Sequence, residues 1–204
     1  MKLFPLTLGL ILTSAIVFGQ SHSQQNRLTN QNQEIMSKNN TASDPEYTAT
    51  DLKFLQRCLS LAEEALDAGD QPFGSILVNA DNEIIAEARN RVNEKNVLAH
   101  PEIELAVWAM ENLSLEERRQ TIMYTTGEHC PMCAGAHGWA EIGSLYFLHS
   151  AKQLGTWLSA LGVGPAPIEF IPAEDIMKNA VIKGPGKGEM LKEIQQMHER
   201  YYQD

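Results

Sequence analysis

Apolar and polar positions follow two rhythms along the chain, and the switches between them mark out its elements. Leu52, Leu55, Leu59, Ala62 and Leu66 recur every three or four residues behind Thr50 and Asp51, either of which can cap a helix, and the run stops at Gly69. That spacing predicts an amphipathic helix. Phe73 to Val78 and Glu83 to Ala88 are short β-forming runs separated by the turn formers Asn79-Ala80-Asp81-Asn82, which predicts a hairpin. A second helix is predicted from Pro101, which suits a first turn because its missing N–H has no intrahelical partner there, to about Asn112, with Ile103, Ala106, Val107 and Met110 as its apolar stripe. The pattern then predicts a strand over 121–126, a small-residue helix from Pro131 to about Ala140, a buried strand over 144–148 and a helix over 153–161. A fifth strand is expected at Ile168-Glu169-Phe170-Ile171, and a charged terminal helix over 190–202. Strands alternating with helices predict an α/β domain with three layers, α/β/α, around a central five-stranded sheet that is largely parallel and is made mixed by the opening hairpin.

The N-terminal residues follow neither rhythm. Lys2 precedes an uncharged stretch from Leu3 to Phe18, followed by Gly19 and Gln20, the layout of a secretory signal peptide over residues 1–19. At about 16 residues, with Pro5 inside it, the stretch is short of the roughly 20 needed to span a bilayer, so no stable membrane anchor is expected after cleavage. Residues 20–45 are dominated by Gln, Asn, Ser and Thr and read as a flexible polar linker, because such a segment cannot offset its own ordering entropy. The domain is expected over 46–204, in a protein exported to a periplasm or secreted.

Composition narrows the function classes. With 26 acids against 16 bases, the formal charge is −10, a poor match to phosphate backbones, so a nucleic-acid partner is disfavoured. Three cysteines cannot build the disulfide framework of a small secreted domain, so stability must come from packing. Cys58, on the stripe side of the first helix, is expected in the core.

Candidate chemistry concentrates at the starts of two predicted helices, in Ala99-His100-Pro101-Glu102 and Gly127-Glu128-His129-Cys130-Pro131-Met132-Cys133. Zinc favours imidazole and thiolate, and three protein ligands leave a fourth position for water, the mark of a catalytic site. Cys130 and Cys133 are spaced to hold one metal from a helix N-terminus, where the helix dipole also favours thiolate, and His100 would complete the site. Glu102 can flank the metal without ligating it, where a proton shuttle is needed. Two other readings stay open: a redox pair or disulfide at Cys130 and Cys133, and a structural zinc with His129 or His137 as fourth ligand.

His-x-Glu followed by Cys-x-x-Cys resembles the zinc-dependent cytidine/deoxycytidylate deaminase superfamily. The similarity runs from Phe73-Gly74 through Ala88-Arg89-Asn90-Arg91 to Cys130-Pro131-Met132-Cys133-Ala134-Gly135-Ala136 and Trp139-Ala140, and the Pro-Met-Cys-x-Gly-Ala run is most similar to the guanine deaminase and tRNA adenosine deaminase branch. The resemblance implies a cytidine deaminase-like fold, Zn2+ on His100, Cys130 and Cys133, and Glu102 moving protons in a hydrolytic deamination that releases ammonia. It implies that Asn90 contacts the substrate and that Trp139 packs against a bound purine; Phe73 and His129 complete the candidate substrate-binding set. The substrate class is a small nucleobase or nucleoside, with a purine such as guanine first, and the assembly a homodimer. The alternatives are a tRNA adenosine deaminase-like enzyme and a non-catalytic zinc module that binds purines. The sequence departs from the pattern at Pro101, where alanine is usual, and at His129, where proline is usual. No acidic residue stands between His149 and Leu161, where guanine deaminases carry the one that reads their base.

Overall fold

A strand covered on both faces must be apolar or small at every position, and Gly74–Val78 is buried at all five. That strand, β1, lies in the middle layer of the protein, seen in a computed structural model that describes residues 47–203. It follows helix α1 (Ala49–Asp67) and precedes β2 (Ile84–Arg89), α2 (Pro101–Asn112), α3 (Leu115–Gln120), β3 (Ile122–Gly127), α4 (Pro131–Ala140), β4 (Ser144–His149), α5 (Ala151–Ala160), α6 (Ala173–Ile176), β5 (Val181–Lys183) and α7 (Glu189–Gln203). The signal peptide expected at 1–19 and the linker at 20–45 lie outside the described residues. Among the described residues no helix is long and apolar enough to cross a membrane.

The five strands form one sheet in the order β2-β1-β3-β4-β5. β1 runs antiparallel to both β2 and β3, while β3, β4 and β5 are mutually parallel. The mixed, three-layer architecture predicted from the alternating pattern is therefore the one formed. Alternation along the strands sorts the core into two faces. Ile76, Val78, Tyr124 and Leu148 pack with Leu55, Leu59 and Ala62 of α1 and Ile194 and Met197 of α7. Leu77 and Met123 point the other way, onto Leu105, Ala106 and Ala109 of α2 and Ala140 of α4. α1 lies so close on β1 that a Cβ at Gly74 would collide with the Cys58 carbonyl and the Leu61 side chain. Cys58 is fully buried in this contact, as expected of a small core residue, and burial pushes its thiol pKa up.

Three local expectations are corrected. α1 is capped by Thr48, not by Thr50 or Asp51: the Asp51 N–H donates to Thr48 Oγ1 at 3.1 Å and the Thr48 N–H donates to Asp51 Oδ2 at 2.9 Å. The fifth strand is Val181–Lys183, which pairs with Ser144–Tyr146, and not Ile168–Ile171. The latter run lies between Pro167 and Pro172 and is exposed; proline supplies no ladder N–H, so apolar character alone did not make it a strand. Finally, α2 buries Leu105, Ala106 and Ala109, while Val107 and Met110, expected in its buried stripe, are 50% and 53% exposed.

Candidate active site

Helices α2 and α4 begin in the same way. The N-cap residue is extended, His100 at φ −82°, ψ 141° and Cys130 at φ −65°, ψ 163°, and a proline follows at the first helical position. Proline disfavours helical geometry in the residue before it, so each helix starts sharply and its N-cap side chain is held at the helix end. Pro101 is thus compatible with the ligand position at His100. The two helices pack on each other across one face of the sheet, which brings their starts together.

The donor atoms of His100, Cys130 and Cys133 all lie within 4.8 Å of one another. His100 Nδ1 is 3.5 Å from Cys133 Sγ and 3.8 Å from Cys130 Sγ. A tetrahedral zinc with ordinary Zn–N and Zn–S bonds has N···S edges of about 3.5 Å, so one imidazole and two sulfurs at this spacing fit the ion. Among the described residues this is the one group of three or more such side chains able to hold a metal, and neither His129 nor His137 belongs to it. Those two rings pair with each other, His129 Nε2 lying 3.1 Å from His137 Nδ1, with His137 Nε2 3.1 Å from the Ile142 carbonyl. The fourth ligand that a structural zinc would want is therefore missing from this group. The two sulfurs bear unequal affinities for a proton: the hydrogen bond from Cys133, reinforced by His100, pulls the Cys130 thiol down to about 4, while the same contact and burial push Cys133 up. His100 is pushed up by its contact with Cys130, against the effect of its burial.

Glu102 lies two residues into α2 and is 5% exposed. Its Oε1 accepts from Thr125 Oγ1 at 3.2 Å, Thr125 Oγ1 accepts in turn from the Ser75 hydroxyl at 2.8 Å, and Ser75 Oγ lies 3.5 Å from the same carboxylate oxygen. Its Oε2 faces the metal-binding group, 3.5 Å from Cys133 Sγ. The sheet thus anchors one carboxylate oxygen through paired hydroxyls and aims the other at the triad. Burial raises the pKa of this carboxyl. Neither hydroxyl was picked out from the sequence; Thr125 and Ser75 meet only through the β1/β3 register.

Asn90 follows β2 and is 1% exposed. Its N–H donates to the Phe73 carbonyl at 2.9 Å, its Oδ1 accepts from the Val92 N–H at 3.0 Å, and its Nδ2 is buried with no partner. The fully buried Asp70 ties this turn down, accepting from Arg89 Nη1 at 3.2 Å and from the Asn93 N–H at 2.6 Å. Phe73 stands at the same end of the sheet and packs on His149 and on His198 of α7, with ring centroids 5.9 and 5.0 Å away. These rings crowd the end of β3, where a Cβ at Gly127 would meet His149 Cε1 at 2.7 Å and Phe73 Cε1 at 2.9 Å. His149 is fully buried rather than on the surface, with Nε2 3.3 Å from Nε2 of His198. Burial lowers His149 to about 4 and His198 well below its ordinary value. His198 carried no signal in the sequence, because what defines it is a contact with a residue 49 positions away.

Trp139 is placed differently from the other candidates. It is 89% exposed on α4, the helix that also carries Cys133, and is not part of the core. His129, in contrast, is fully buried, and burial together with its neighbours His137 and His100 lowers its pKa well below the ordinary histidine value.

Residues 48–149 match the family model of the cytidine and deoxycytidylate deaminase zinc-binding region. Over 112 residues the chain is 30% identical to a probable cytosine deaminase of Schizosaccharomyces pombe, a match covering 55% of this chain and 68% of the relative. It is 38% identical over 96 residues to the guanine deaminase of Bacillus subtilis, covering 46% of this chain and 61% of that one. A structure solved in a study of A-to-I editing by tRNA:A34 deaminases superposes with a TM-score of 0.52 at 27% identity, covering 72% of this chain and 99% of the other.

Proposed function

The chain belongs to the zinc-binding cytidine and deoxycytidylate deaminase family, whose relatives here are hydrolases of C–N bonds, and from that premise we propose that it deaminates a small nucleobase or nucleoside by hydrolysis, releasing ammonia. The observation that carries the reading is Glu102, a buried carboxyl with one oxygen anchored by Thr125 and the other aimed at His100, Cys130 and Cys133. His100, Cys130 and Cys133 would hold the zinc. When bound, zinc supplies Lewis acidity that lowers the pKa of a ligated water to about 7. Glu102 Oε2 takes one proton of the attacking water and passes it to a ring nitrogen of the substrate, then takes the second proton from the hydroxyl formed on the ring carbon and delivers it to the amine, which leaves as ammonia as the carbonyl forms. Because Thr125 fixes Oε1, the carboxyl need not turn between these transfers. Asn90 Nδ2 is left as a buried donor for an acceptor on the substrate, since Val92 already occupies Oδ1. Phe73 and His129 line the same end of the sheet.

Among substrates we favour a purine base such as guanine, supported by the likeness to the Bacillus subtilis guanine deaminase. A tRNA adenosine is the second reading, supported by the superposition on the tRNA:A34 deaminase structure; the charge of −10 weighs against it. The exposure of the large apolar side chains Trp139, Val107 and Met110 on the adjoining helices α4 and α2 supports a homodimer joined through these helices. The signal-like residues 1–19 support export. Ammonia release by the full-length, zinc-loaded protein across free bases, nucleosides, nucleotides and a tRNA anticodon stem tests the assignment. Release from a small heterocycle that stops on chelation is the expected result. Release from the tRNA alone would replace the first reading with the second, and silence throughout would leave a non-catalytic zinc module.

A further inference from the structure

β1 and β3 press Leu77 and Met123 onto α2, and two residues along each strand, toward the start of β1 and the end of β3, the same face of the sheet carries hydroxyls instead. Ser75 and Thr125 are both fully buried and stand opposite each other in the antiparallel register. A buried hydroxyl costs free energy unless it is hydrogen-bonded, so two of them beside Leu77 and Met123 call for a polar partner. That partner is the Glu102 carboxyl.

A hydroxyl carries one proton, which gives these contacts a direction. Thr125 Oγ1 lies 3.2 Å from Glu102 Oε1 and gives its proton there; Oε1 accepts whether or not the other carboxyl oxygen is protonated. The Thr125 proton being committed, the 2.8 Å contact between the hydroxyls is made by the proton of Ser75. Ser75 Oγ is also 3.5 Å from Oε1, the longer and weaker of its two contacts. The donors therefore run from Ser75 to Thr125 to Glu102. Where they end matters, because the last torsion of a glutamate is broad and the backbone of α2 alone does not set the plane of the carboxyl. With Oε1 held from the sheet, Oε2 stays 3.5 Å from Cys133 Sγ.

We propose that Ser75 is a positioning residue of the reaction, one step removed from Glu102. By donating to Thr125 it commits the Thr125 proton to Oε1, and so keeps Oε2 turned to the triad. Without the Ser75 hydroxyl the Thr125 proton is free to rotate away, and the carboxyl loses its fixed plane while His100, Cys130 and Cys133 keep their places. The proposal deepens the deaminase reading and rests on it.

A double-mutant cycle on Ser75 and Thr125 tests it, in the full-length, zinc-loaded protein with the heterocycle that the parent consumes. Ser75→Ala lowers kcat about fivefold and Thr125→Val about twentyfold, each with KM changed less than about twofold and zinc retained. Because Ser75 works through Thr125, the double variant stays within about twofold of Thr125→Val. Should Thr125→Val not fold, Thr125→Ala closes the cycle. Thr125→Ser, which keeps the hydroxyl and drops the methyl, stays within about threefold of the parent and still responds to Ser75→Ala. Losses that multiply in the double variant, or a Ser75→Ala with the kcat of the parent, overturn the proposal and leave the deaminase reading standing. Crystals of zinc-loaded Ser75→Ala read the geometry without turnover: a Glu102 carboxyl rotated away from Cys133 is expected, and one that keeps its plane overturns the proposal. No turnover of any panel compound by the parent overturns the deaminase reading and this proposal with it.

Discussion

Two imidazoles that stay neutral in the interior, His149 and His198, tie the acid stability of the protein to its substrate end. Burial holds His149 at about 4 in the folded chain and His198 well below its ordinary value, against about 6.5 for an unfolded histidine. Between those values the unfolded chain binds more protons than the folded one, so stability rises with pH. The contribution is complete above about pH 6.5 and is lost progressively as pH falls toward 4. Thermal melts are expected to show a falling Tm across that window, and His198→Phe should lessen the decline by removing one of these titrations, leaving those of His149 and of the likewise buried His129 and His137. An equal decline in the variant would place the acid sensitivity elsewhere. At this scale the sequence was legible where a residue's role depends on its immediate neighbours: His100 and Cys130 each stand before a proline at a helix start, and Cys133 is one turn further on. It was silent on Ser75 and Thr125, which reach Glu102 only because two strands pair in one register.

Helices with strong local signals declared themselves, and weakly signalled elements did not. α1 needs its first turn satisfied, and the reciprocal bonds of Thr48 and Asp51 do so. Thr48→Ala should cost about 1 kcal/mol, measured as a shift in denaturant midpoint without a change in slope. No change would mean that tertiary packing alone fixes the helix start. β5 has only three residues and no periodicity to read; its place is set by the parallel edge that β4 offers. Ile168–Ile171 had the better composition and no N–H to spare at its bounding prolines. On α2 the 3.6-residue period allowed two apolar stripes, Ala106 with Val107 and Met110, or Leu105 with Ala106 and Ala109. Packing against the sheet chose the smaller residues, which leaves Val107 and Met110 outside.

For the whole molecule, that outward face has consequences. Trp139 on α4 and Val107 and Met110 on α2 are large apolar side chains exposed on two helices that pack together. The proposed homodimer covers them. Light scattering should give twice the chain mass, and Trp139→Glu should give the monomer mass with zinc still bound; a monomeric parent would contradict the dimer. The architecture itself was legible, because five strands interleaved with helices leave few ways to bury both faces of a sheet. The substrate was not, since the proposed contacts Phe73, Asn90 and His129 come from separate segments, and Phe73 packs in turn on His198 of α7.

The central claim is that a proton held by Glu102 is what the zinc-binding group works with, and it is tested most directly by Glu102→Ala. Metal content and ammonia release are measured together on the full-length, zinc-loaded parent and variant, with the heterocycle the parent consumes. The variant is expected to bind one zinc, as the parent does, and to lose roughly 10²–10⁴-fold in kcat, the usual worth of a positioned general acid and base. Full turnover by Glu102→Ala with its zinc in place would contradict the claim.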